Sequence, residues 1–146
     1  MKGKTMREIK FRARNAGVPR CYIYGYYVIE DGVSYIINNE GRFKVIAGTE
    51  SQYIGQKDKN RKEIYEGDIV RVGSWWDNSD FWEEEGTRME YDGTTHIIKW
   101  CGDDDYPAFD LCPHIDCDSN GLSHITATRE MEIEIIGNTY ENPELL

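Results

Sequence analysis

Hydrophobic and polar positions alternate along much of this chain with the period of two that belongs to strands. In REIKFRARN, residues 7 to 15, Ile9 and Phe11 fall on one side and Lys10 and Arg12 on the other, because successive side chains of a strand point to opposite faces. CYIYGYYVIEDGVSYIINNEGRFKVI, residues 21 to 46, sets runs of Tyr, Ile and Val around two turn signals, Glu30-Asp31-Gly32 and Asn38-Asn39-Glu40-Gly41. The pattern predicts a three-stranded meander. Gly25, inside the tyrosine run, predicts either a bulge or the close approach of another backbone.

YIGQKDKNRKEIYEGDIV, residues 53 to 70, predicts a hairpin with a polar turn over 57 to 60, then a corner at Glu66-Gly67-Asp68 that opens a strand at Ile69. Gly67 and Asp68 are expected to be structural: glycine accepts a positive φ that a Cβ opposes, and a short carboxylate bonds neighbouring amides. Strand character returns at THIIKW (95 to 100), at Ala108-Phe109-Asp110-Leu111, and at MEIEII, where Met131, Ile133 and Ile135 alternate with Glu132 and Glu134 before an expected turn at Gly137-Asn138. Residues 73 to 92 and 112 to 128 show no period and are expected to be irregular loops. The fold class is therefore mainly β, with a β-rich meander layer over 1 to 50 and a second part over 51 to 146.

Composition agrees with that class. A chain of 146 residues can bury an ordinary core, and its aromatic content of 12% rests on ten tyrosines and four tryptophans, residues that favour pleated, half-buried surfaces. Net charge is −10 and unevenly placed: residues 1 to 72 carry 14 Lys and Arg against 9 Asp and Glu, residues 73 to 146 carry 3 against 18. An acidic excess of this size repels phosphate backbones, so nucleic acid is not the expected partner. No apolar run is long enough to cross a bilayer. MKGKTMREIKFRARN lacks the apolar core of a secretory signal, so the four cysteines are expected in a reducing cytoplasm.

Three motifs, MREIKFRAR, SQYIGQKDKNRKEIYEGDIV and EIIGNTYENPELL, in this order and spacing, resemble the YopX family of small proteins from phages and prophages. The resemblance implies an SH3-like β-barrel in the C-terminal part, a β-rich N-terminal portion and expression inside a bacterial host cell. It brings no established activity and no catalytic or ligand residues. The family usually has glycine after KDKN, where this chain has Arg61. Arg61 must either adopt the left-handed conformation or shift the turn type.

The strongest chemical grouping is Cys101, Cys112, His114, Cys117 and His124, donors of a kind that suits zinc. Cys112 and Cys117 enclose four residues and no knuckle pattern follows, so free thiols are expected rather than a metal site. Glu83-Glu84-Glu85 and Asp103-Asp104-Asp105 lack the alternating spacing of a calcium loop and read as solvated charge. Nucleophile triads and glycine-rich phosphate loops are missing, and no carboxylate pair is placed to split its pKa values. The expectation is a protein that is not an enzyme and needs no cofactor.

What remains is a protein-interaction or assembly module. Tyr24, Tyr26, Trp75, Trp76 and Trp82 are the candidate contact residues, since aromatic side chains dominate interface hot spots. A homo-oligomer is expected from the opposed charges of the two halves, with a host or phage protein as a further partner class. The alternative is nucleic-acid binding through the basic arm, Lys2, Lys4, Arg7, Lys10, Arg12 and Arg14, and the tyrosine-rich strands.

Overall fold

The computed structural model describes residues 8–74, 93–101, 108–113, 120–128 and 131–145. The chain divides into two compact units, Met1–Gly55 and Gln56–Leu146. Both are built from antiparallel strands, as expected for a mainly β chain.

In the first unit, β1 (Phe11–Arg14), β2 (Tyr22–Glu30), β3 (Val33–Asn38) and β4 (Gly41–Lys44) lie in the order β4-β3-β2-β1, and β5 (Ser51–Lys57) pairs with the outer edge of β1. The predicted meander is β2, β3 and β4. Glu30 pairs with Val33, leaving Asp31 and Gly32 as a two-residue loop with φ of 49° and 77°. Positive φ at both positions is the type I′ geometry that matches strand twist. After β1, Asn15 bridges Val45, and Ile46 N donates to Arg14 O at 2.9 Å. The four strands thus curl until the end of β4 meets the end of β1. Ala13, Ile36 and Val45 are buried inside this curl, with Phe11, Ile23 and Tyr27 packed on them. Burial stabilises by roughly 1.5–3 kcal/mol for each large aliphatic side chain.

Ser51 and Gln52 pair with Arg12 and Phe11, and the first unit runs to Gly55. The expected alternation holds through the first strand, with Phe11 and Ala13 on the core side and Arg12 on the other, although Ile9, ahead of β1, is exposed and Arg12 is buried. On its own face Arg12 is covered by the Tyr22 ring and bonds Ser51.

The second unit contains β6 (Glu63–Tyr65), β7 (Asp68–Ser74), β8 (Thr94–Trp100), β9 (Phe109–Cys112), α1 (Gly121–Thr128) and β10 (Met131–Asn138), and ends in a 3-10 turn, Pro143–Leu145. Four of its strands form a sheet in the order β10-β7-β8-β9. β7 lies inside it and buries Ile69, Val70 and Val72, adjacent positions included, because both of its faces are covered.

The expected loop over 112 to 128 is corrected in part, since residues 121–128 form α1. Its amino end is held at three points: Asn120 Oδ1 accepts from Ser123 N at 2.9 Å, Asn120 Nδ2 donates to Phe109 O at 2.9 Å, and buried Asp110 accepts from Leu122 N at 3.0 Å. Leu122 and Ile125, three apart and so on one helix face, are buried. The turn expected at Gly137-Asn138 is a bulge inside β10 instead: pairing shifts between Ile135 and Gly137, and Asn138 still faces Asp68. Of the loop expected over 73 to 92, Gly73 and Ser74 belong to β7, and 75 to 92 lie outside the described residues.

Candidate functional site

The site is built from the alternation of β2. Ile23 and Tyr27 turn into the core of the first unit, so Tyr22, Tyr24, Tyr26 and Val28 turn outward. Pairing extends this outer face across the sheet. Tyr26 lies opposite Ile37, and Ile37 opposite Arg42; Val28 lies opposite Tyr35, and Tyr35 opposite Lys44; Arg12 lies opposite Tyr24. The middle of the face is half-buried Val28, Tyr35 and Ile37, and its border is exposed Tyr24, Tyr26, Arg42 and Lys44. Tyr26 is 69% exposed and Tyr24 45%.

Two arginines sit against tyrosine rings on this face. The Arg42 guanidinium lies 3.9 Å from the Tyr35 ring centre and forms an ion pair with Glu30. The Arg12 guanidinium lies 4.5 Å from the Tyr22 ring centre, and its Nε donates to Ser51 Oγ at 3.2 Å. Such stacks hold planar cations flat on the sheet. Sequence reasoning singled out Tyr24 and Tyr26 but missed Tyr35, Ile37 and Arg42. The alternation of β3 and β4 marks all three as one-face residues, and only the register places them beside Tyr26.

Trp75, Trp76 and Trp82 lie outside the described residues. So do His114 and Cys117; His124 is in α1, while Cys101 is buried and Cys112 half-buried. Among the described residues, no three His, Cys, Asp or Glu side chains gather as a metal site.

Gly67 and Asp68 sit together at the start of β7. Gly67 has φ of 87°, donates from N to Ile98 O at 2.8 Å, and accepts at O from Thr139 N at 3.0 Å. Asp68 is buried and its Oδ2 accepts from Tyr65 N at 2.8 Å. Upstream, Arg61 takes φ of 64° as the last residue of a turn in which Arg61 N donates to Asp58 O at 3.0 Å. Of the two expected outcomes, the left-handed one is observed. Asp58 Oδ1 accepts from Asn60 N at 2.8 Å and Lys62 N at 2.9 Å, which closes this turn.

Buried His96 in β8 is held from both sides. Its Nδ1 is 2.7 Å from Pro113 O, an acceptor only, so Nδ1 carries the proton and Nε2 accepts from the Thr94 hydroxyl 2.6 Å away. Burial lowers its pKa below the ordinary 6.5, opposed by the bond to Pro113 and the charge of Asp110.

The molecule so described is a two-unit, antiparallel β protein whose first unit presents an aromatic and basic sheet face to solvent. The family model described as YopX protein matches residues 30–146. The chain belongs to the YopX protein family, in agreement with the resemblance of its motifs. No curated protein matches it. Among solved structures, it is similar to protein EF1440 from Enterococcus faecalis, with 20% identity, a TM-score of 0.53, and coverage of 97% of this chain and 99% of that one. At this identity the likeness shows the fold alone. No described helix is long and apolar enough to cross a membrane.

Proposed function

We propose that this chain is a non-enzymatic interaction module that assembles with further copies of itself through the outer face of its first sheet. The observation that carries the reading is the row Tyr26–Ile37–Arg42, in which a tyrosine 69% exposed stands in register with an aliphatic and a cationic side chain. An aromatic anchor on a half-apolar centre with a charged border is the anatomy of a binding surface. Charge supports a second copy as the occupant. Residues 1–55 carry 9 Lys and Arg against 5 Asp and Glu, and residues 56–146 carry 8 against 22, so the basic sheet face of one copy complements the acidic unit of another. The aromatic contacts supply affinity; the exposed charges set orientation and salt sensitivity.

Binding of single-stranded nucleic acid is the second reading, favoured by the guanidinium stacks beside exposed tyrosines. Those stacks, however, already occupy faces of the Tyr22 and Tyr35 rings, and Arg12 is buried. Free thiols at Cys21, Cys101 and Cys112 support a cytoplasmic setting, and the family resemblance supports a phage or prophage protein within a bacterial host. Light scattering on the wild type and on Tyr26→Ala tests assembly. A salt-sensitive oligomer that the variant loses is expected, and a wild-type monomer at every concentration and salt overturns it.

A further inference from the structure

Inside the first sheet, Gly25 makes β2 change partners. Phe11 to Arg14 of β1 pair with Gly25 to Tyr22, whereas pairing with β3 begins at Tyr26 opposite Ile37. A side chain at residue 25 would overlap the Ile37 carbonyl oxygen, so only glycine permits the crossing. Before it, the first half of β2 runs apart from the β3–β4 turn, and a groove of about 470 Å3 opens between them. That volume lies within the range of small-ligand sites, roughly 300–1,000 Å3. Asn38 holds the two sides in place: its Nδ2 donates to Tyr24 O at 3.0 Å, and its Oδ1 accepts from Glu40 N at 2.8 Å.

The lining has a distinctive chemistry. Tyr22 and Tyr24 supply aromatic rings with centres 6.5 Å apart, tilted by 47°. Exposed Asn39 and Glu40 supply a carboxamide and a carboxylate from the opposite turn. Asn15, also in the lining, accepts at Oδ1 from Gly17 N at 2.8 Å and carries two further donors on Nδ2. The lining contains the carboxyl group of Glu40 and no Lys or Arg, the nearest guanidinium being that of Arg12, 4.5 Å from the Tyr22 ring centre. A phosphate placed there would meet the Glu40 side chain, an acceptor like itself. A sugar ring satisfies every element: its C–H face packs on an aromatic ring, and its hydroxyls, each both donor and acceptor, answer short carboxamide and carboxylate arms.

We propose that this groove binds a neutral saccharide. The site overlaps the assembly face at Tyr22 and Tyr24 but does not include Tyr26. The test is NMR titration of the full chain with maltotriose, cellotriose and N,N′,N″-triacetylchitotriose, and with a short oligothymidylate as the anionic control. The expected result is that at least one trisaccharide shifts the amides of Tyr22, Tyr24, Asn39 and Glu40. Asn39→Ala and Glu40→Gln, both at exposed turn positions, should weaken that binding at least about tenfold, equal to about 1.4 kcal/mol, with unchanged unfolding. Tyr26→Ala should keep saccharide binding while losing assembly, so the two readings fail separately. No shift with any of the three sugars at millimolar concentration, or the same residues responding to oligothymidylate instead, overturns the proposal.

Discussion

Asp58 and Ile135, 77 residues apart in sequence, are joined by a hydrogen bond of 3.0 Å from the Ile135 amide to the Asp58 carboxylate. The same buried carboxylate closes its own turn, and Lys59 N donates to Ile133 O at 2.9 Å beside it. Asp58 therefore ties the 58–61 turn to β10 where the bulge of that strand begins. The aspartate of the KDKN motif is scaffold.

Replacing Asp58 with Ala strips acceptors from three part-buried backbone amides, of Asn60, Lys62 and Ile135. The expected cost is roughly 2–3 kcal/mol, because bonds to a charged group are strong and three are lost together. Urea unfolding measures it. A midpoint unchanged from the wild type would show that the carboxylate contributes nothing.

Arg61 bears the opposite prediction. Its φ of 64° is a conformation that a Cβ opposes by roughly 1–2 kcal/mol and that glycine adopts freely. Arg61→Gly should stabilise the chain, by about 0.5–1 kcal/mol once the extra freedom of glycine in the unfolded chain is counted. The same urea series reads it, and destabilisation would mean that the guanidinium carries an unrecognised contact.

At Gly67, φ of 87° combines with backbone bonds to Ile98 and Thr139 on both sides. Gly67→Val should cost on the order of 1–3 kcal/mol. Full retention of the thermal midpoint would contradict the corner.

His96 gives stability a pH dependence. Burial depresses its folded pKa below the 6.5 of an exposed histidine, so between those two values the unfolded chain binds more protons than the folded one. Its contribution is fully present above about pH 6.5 and declines as pH falls toward the depressed folded value. Unfolding free energy measured from pH 8 to pH 5 should decrease on the acid side, and His96→Gln should flatten that decrease. Glu134, lowered by its bond to Arg71 and by Lys59, acts in a separate window below 4.5. An identical slope in the His96 variant would remove histidine from the account.

Local signals in the sequence carried much of this fold. The Asp31-Gly32 loop, the Gly67 corner and the β2–β4 meander each follow from the turn residues and strand period of one segment. Arg12 did not follow, because its burial depends on Ser51 and Tyr22, which reach it only through pairing. Nor did α1: eight residues give too little helical period to stand out, and Asp110, eleven residues before the helix, supplies part of its cap. The candidate face was half legible. Tyr24 and Tyr26 stand out in the sequence, while Tyr35, Ile37 and Arg42 join them by register alone.

Assembly through that face is tested most directly by multi-angle light scattering of the wild type and Tyr26→Ala across protein concentration, at low and high salt. Tyr26 is exposed, so its loss should leave unfolding unchanged. An oligomer of the wild type at low salt, weakened by high salt and reduced to monomer in Tyr26→Ala, is the predicted result. A monomeric wild type under every condition, or an oligomer indifferent to Tyr26, would contradict it.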